Sequence, residues 1–202
     1  MPSPTEFRLP GFDYPGWHLI GAYPDGDPGD TGSWLLHNGG EALLLEVPEG
    51  LTVSDVAGAL DRTGFKLRYV AASHDHYDHI DPEVWDALAA AFPRAKFIHP
   101  TTVRGDRMLR IGGEPLWLVK GPKHSACDVV TVFRGVAMTG DIETGTLDSV
   151  TDEVPLAKRR RSMRRLAGFQ ERTGYRVHTT ISAHMNSVRR GVDWESLFRV
   201  DG

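Results

Sequence analysis

The apolar segment Leu67-Arg68-Tyr69-Val70-Ala71-Ala72 runs into His74-Asp75-His76-Tyr77-Asp78-His79, and this junction constrains the fold more than any other stretch. A buried strand holds its backbone rigidly, while side chains just past its end are free to converge. Alternate residues of a strand share a face. His74 and His76 can therefore point together, but Asp78 and the adjacent His79 cannot both join them unless the chain turns. A turn there would aim His74 and His76 at one ion and Asp78 and His79 at a second. Imidazole and carboxylate suit zinc, iron or manganese. The competing reading, a polar loop with chance histidines, fits poorly with three His and two Asp in this order after an apolar strand.

The rest of the chain sets the frame. A length of 202 residues suits one domain spanning 1–202. Hydrophobic residues make up 40% and charged residues 25%, which is ordinary for a globular protein, and a net charge of −4 gives no sign of a polyanion binder. The single cysteine, Cys127, excludes an intrachain disulfide and a Cys-based zinc finger. Met1 is followed by no apolar stretch of signal-peptide length, and no run approaches a membrane span. The expectation is a soluble, cytoplasmic protein with no membrane or nucleic-acid partner, and its oligomeric state is left open.

Strands and helices alternate, so helices are expected on sheet faces. Trp17–Ala22 reads as a strand, and Ser33–His37 and Ala42–Val47 as a hairpin about Asn38-Gly39-Gly40. A helix is expected from Ser54 to Arg62, stopped by Thr63-Gly64, and another from Asp81-Pro82 to Phe92. Further strands are expected at Lys96–His99, Leu116–Lys120, Val129–Arg134, Val136–Thr139 and Thr179–Ser182, with one helix over Pro155–Glu171.

The hexapeptide resembles the His-x-His-x-Asp-His signature of the metallo-β-lactamase superfamily. The resemblance implies an α/β fold, an αββα four-layer sandwich of two mixed β-sheets flanked by helices. It also implies three ligands downstream. His124 in Gly121-Pro122-Lys123-His124-Ser125, Asp141 in Met138-Thr139-Gly140-Asp141 and His184 in Ile181-Ser182-Ala183-His184 meet the description in order. His99, His178, Asp128, His18 and His37 compete less well by position. Family members commonly carry Asp at the end of the second hairpin strand, where this chain has Glu46.

On that resemblance two divalent ions, zinc first and iron or manganese otherwise, would be held by His74, His76, Asp78, His79, His124, Asp141 and His184. Two ions bridged by Asp141 and a water would bring that water's pKa toward neutrality and supply hydroxide. Asp78 would ligate the second ion and orient the nucleophile. Asp141 points toward the glyoxalase II and lactonase branches, hence an ester, thioester or lactone-type small-molecule substrate. The alternative is an iron-dependent oxidoreductase on the same fold; its flavin-coupled di-iron branch usually has Glu in place of one motif histidine, unlike His76 here. A ligand-free scaffold fits least, because no ligand position is lost.

One charge feature stands apart, Lys158-Arg159-Arg160-Arg161 with Arg164 and Arg165. It reads either as a solvated helix face or as a source of one or two arginines, Arg160 or Arg161, that grip an anionic group of the substrate.

Overall fold

The structure is a computed structural model and describes residues 13–26 and 29–199. One sheet has the order β1-β2-β3-β4-β5, formed by β1 (Trp17–Tyr23), β2 (Thr31–Asn38), β3 (Glu41–Leu45), β4 (Lys66–Ala71) and β5 (Lys96–Ile98). Its first three strands are antiparallel, and β3, β4 and β5 run parallel. The second sheet comprises β6 (Asp106–Ile111), β7 (Glu114–Lys120), β8 (Val129–Phe133), β9 (Val136–Met138), β10 (Thr179–Ile181) and β11 (Val188–Arg190), in the order β11-β10-β9-β8-β7-β6. Only β9 and β10 are parallel there. Both sheets are thus mixed.

Helices α1 (Val53–Thr63) and α2 (Pro82–Ala91) cover the first sheet; α3 (Leu156–Ala167), α4 (Phe169–Thr173) and α5 (Trp194–Phe198) cover the second. Alternation within strands feeds these layers. Trp34, Leu36, Leu43 and Leu45 face the core between the sheets, whereas Leu35, Ala42 and Leu44 pack beneath α1 and α2. Strands buried on both faces become nearly continuous apolar runs, as Leu43-Leu44-Leu45 and Val129-Val130 are. The result is the αββα sandwich expected from the sequence. No helix among the described residues is long and apolar enough to cross a membrane.

Local chemistry sets the element ends. Thr52 and Asp55 form a reciprocal capping box on α1, and Gly64 closes it in the left-handed conformation at φ 70°. A cap of this kind stabilises a helix by about 1 kcal/mol. The Asp81 side chain accepts from the Val84 N–H and starts α2 immediately after the histidine cluster.

Several elements depart from the sequence reading. β6 was not anticipated, although Gly112-Gly113 marks its hairpin with β7; its alternating Asp106-Arg107-Met108-Leu109-Arg110-Ile111 belongs to a half-exposed edge strand. The helix expected over Pro155–Glu171 is broken at Gly168, which ends α3 and begins α4 with ψ near 6°. β11 and α5, short and late in the chain, were also not foreseen.

The far end of the sandwich is fastened by hairpin tips. The Asn38 side-chain amide donates to the Gly112 carbonyl at 2.9 Å, and the Gly112 N–H donates to Glu41. Arg134 reaches from the β8–β9 turn to Asn38 and Glu114. Gly112 has φ 52°, and a Cβ there would lie 2.3 Å from the Asn38 carbonyl oxygen. Glycine is required by contact as well as by conformation.

Candidate metal centre

At the opposite end, the strand termini of both sheets bring all seven predicted ligands together. After β4 the chain turns tightly, with the His79 and Ile80 N–H groups both donating to the His76 carbonyl. Val47 then fixes the turn from the neighbouring strand end, donating to the His79 carbonyl and accepting from Asp81 N–H. The turn produces two groups: His74, His76 and His124, and beside them Asp78, His79, Asp141 and His184.

In the first group, His74 Nε2 lies 3.1 Å from His76 Nδ1, which lies 3.3 Å from His124 Nε2. In the second, the Asp141 Oδ2 atom is 3.2 Å from His184 Nε2 and 3.4 Å from His79 Nε2. The same oxygen stands 3.7 Å from His124 Nε2 and 3.9 Å from His74 Nε2, so Asp141 sits between the groups. Asp78 Oδ2 closes the second group at 3.5 Å from His79 and 3.6 Å from His184.

This arrangement fits cations. Imidazole nitrogens aimed at one another repel unless a proton or ion lies among them, and four nitrogen ligands about 2.0–2.1 Å from a tetrahedral zinc stand about 3.3 Å apart. Asp141 Oδ1 and His79 Nε2 are buried without a hydrogen-bond partner, an arrangement that is costly unless a ligand completes it. Protonation tells the same story. Burial drives His74 down to about 2, with the neighbouring His79 adding to the effect. Burial also works against a proton on His79, but the Asp141 and Glu46 carboxylates prevail and push it up to about 10. Asp141 is buried too, yet His184 and His79 hold its carboxyl well below the usual carboxylate range. The second group thus retains a cation even when that cation is only a proton.

Outer partners orient the rings. Fully buried Glu46 accepts from the Ser73 N–H at 3.0 Å and lies 3.2 Å from His79 Nδ1. Its backbone is left-handed, at φ 67°, a conformation costing a non-glycine residue about 1–2 kcal/mol. Gly140, at φ 60°, lets the Asp141 strand end approach Ser73, where a Cβ would come within 2.8 Å. Asp128 accepts from the N–H groups of Lys123, His124 and Ser125 and so shapes the loop that presents His124.

A second loop, 143–154, buttresses the first group. Glu153 Oε1 is 2.8 Å from His76 Nε2, and the Thr151 hydroxyl donates to the His124 carbonyl. Buried Lys123 pairs with Glu143 and donates to the Asp148 carbonyl, while Arg159 donates to the carbonyls of Val154 and Thr151. Of the basic run, then, Arg159 reaches this region, and it holds a loop. Arg160 and Arg161, the sequence candidates for gripping substrate, are not hydrogen-bonded to or paired with any of the seven ligands among the described residues. Sequence reasoning missed Glu153, Thr151 and Lys123, none of which belongs to the ligand pattern.

The remaining histidines lie elsewhere. His37 stacks on Phe65, His178 on Tyr14, and His99 bonds to Thr101. Cys127 is buried, donates to Asp75 at 2.9 Å, and has its thiol pushed up to about 12, first by burial. Burial and the Asp75 carboxylate thus disfavour the thiolate that a nucleophilic role needs.

No protein-family model and no curated protein matches the sequence. Solved structures do. ETHE1 from Myxococcus xanthus superposes with a TM-score of 0.62 at 16% identity, covering 86% of this chain and 79% of that one. A metallo-β-lactamase family protein from Thermus thermophilus gives 0.57 at 19% identity, covering 92% and 77%. A B3 metallo-β-lactamase with an active-site glutamic acid gives 0.61 at 14% identity, covering 91% and 83%. With its two mixed sheets, outer helices and paired ligand groups at one end, the chain has the metallo-β-lactamase fold.

Proposed function

We propose that the protein is a dinuclear metal-dependent hydrolase acting on an ester, thioester or lactone-type small molecule. The observation that carries this reading is Asp141 Oδ2, within 3.9 Å of histidine nitrogens from both groups. Divalent ions bound there would lower the pKa of water toward neutrality and polarise a carbonyl oxygen.

The chain's own residues supply the rest. His74 and His79 are fully buried and form the floor of the centre, while Asp78, His76 and His184 are partly exposed at its mouth. Asp78, with its side chain 39% exposed, would orient an attacking water and take up its proton. Glu153 and Glu46 fix the imidazoles from behind. The thiol of Cys127 takes no part.

Metal analysis of protein purified without added metal, joined to turnover of thioester, lactone, phosphodiester and β-lactam substrates, tests the proposal. The expected result is close to two zinc per chain and hydrolysis of a thioester or lactone, with His76→Ala losing one equivalent of metal and turnover. Stoichiometric iron with substrate-dependent oxygen uptake would instead establish the oxidoreductase alternative.

A further inference from the structure

A cavity of about 360 Å³ opens beside the ligand cluster, toward the β10–β11 hairpin. His124, Asp141 and His184 close its inner end, and Thr144, Thr180 and Arg189 lie on its outer wall. Its volume falls at the low end of the range for small-molecule sites, about 300–1,000 Å³. It suits one half of a small substrate.

The charges of this wall are unequal. Glu143 also lines the cavity, but it is ion-paired with Lys123 at 2.7 Å. Asp141 is turned to the histidines. Arg189 has no carboxylate partner among the described residues; its Nη1 donates to the Thr144 hydroxyl at 2.9 Å. That bond steadies the guanidinium and uses one of five donors, leaving most of the planar fork for a ligand. Across the β10–β11 pair, Thr180 stands in register with Arg189, so a hydroxyl flanks the cation on the same face.

We infer that this cavity is an oxyanion subsite, in which Arg189 pairs with a carboxylate or phosphate carried by the molecule whose reactive group lies at the ligand cluster. The inference rests on the hydrolase reading for the identity of the reactive end, and it assigns the anion contact to Arg189, away from Arg160 and Arg161 on α3.

The test compares thiols that differ only in charge: 3-mercaptopropionate and 4-mercaptobutyrate against 1-propanethiol and 1-butanethiol, titrated calorimetrically into zinc-loaded protein. The better mercaptocarboxylate should bind about tenfold tighter than its uncharged counterpart, the scale of one charge-assisted contact. Arg189→Gln should erase that preference while zinc content and uncharged-thiol affinity stay unchanged, and Arg189→Lys should keep part of it. A preference absent from the wild type, or surviving in Arg189→Gln, overturns the subsite; so does a preference abolished by Arg161→Ala and not by Arg189→Gln. If the protein takes up no zinc, the metal reading fails separately. The subsite is then decided in metal-free protein with inorganic phosphate, followed by the Arg189 side-chain NMR resonance. Saturation abolished by Arg189→Gln upholds it, and no saturation overturns it.

Discussion

The two ligand groups share a wall but differ in charge and in what holds them. His74, His76 and His124 present only imidazole, steadied by Ser73 on one side and by the exposed loop carrying Glu153 on the other. Asp78, His79, Asp141 and His184 include two carboxylates and are backed by the fully buried Glu46. A divalent ion in the first group would keep its charge for polarising a substrate, and one in the second would be largely neutralised. The Asp141 and Glu46 carboxylates favour a second ring proton on His79, pushing it up to about 10, whereas burial keeps His74 neutral, so loading the second group competes with a proton. Adjacent sites can therefore differ in both affinity and pH response.

The largest expected effect comes from the residue between them. Asp141→Asn should lower turnover by on the order of 100-fold or more and reduce metal content toward one ion per chain. Two ions retained with near-normal turnover would dissolve the distinction between the groups. Next in size is the proton count. Loading the second group at pH 7 should release about one proton from His79, and its apparent affinity should rise about tenfold per pH unit from 7 toward 10. Calorimetry in buffers of different ionisation enthalpy reads this directly, and heats independent of buffer would contradict it. The smallest effect is expected from Glu153→Gln, which should weaken metal at the first group about tenfold and leave the second unchanged, followed through cobalt absorption against a competing chelator. An equal loss at both groups would make Glu153 a general support of the fold instead.

The difference between the groups also tracks what could be read from the chain. The seven candidate ligands were legible because chemistry restricts them to His and Asp at strand ends, and their order along the chain followed the family pattern. The Asn38-Gly39-Gly40 hairpin and the Asp81-Pro82 helix start were legible from turn and cap chemistry. Glu153, Thr151 and Lys123 were not, because a loop residue acquires its partner only through the path of the folded chain. Asp128 competes less well by position as a ligand, and its three backbone hydrogen bonds depend on a loop geometry that no local pattern announces. The edge strands β6 and β11 were missed for a related reason: with one side unpaired, their sequences carry charge where an inner strand carries Val or Leu.

The clasp between hairpin tips at the far end takes on a mechanical meaning once the ligands are assigned to sheets. His74, His76, Asp78 and His79 follow the first sheet, and His124, Asp141 and His184 the second, so each group draws on both. The two sheets are joined where Asn38 meets Gly112, through the core between them, and again beside the ligands, where Val129 N–H donates to the Ser73 carbonyl and Gly32 N–H to the Ala183 carbonyl. Binding energy spent on an ion is then also adhesion between the sheets. A side chain at Gly112 would meet the Asn38 carbonyl, so the two hairpin tips close on each other only around a glycine.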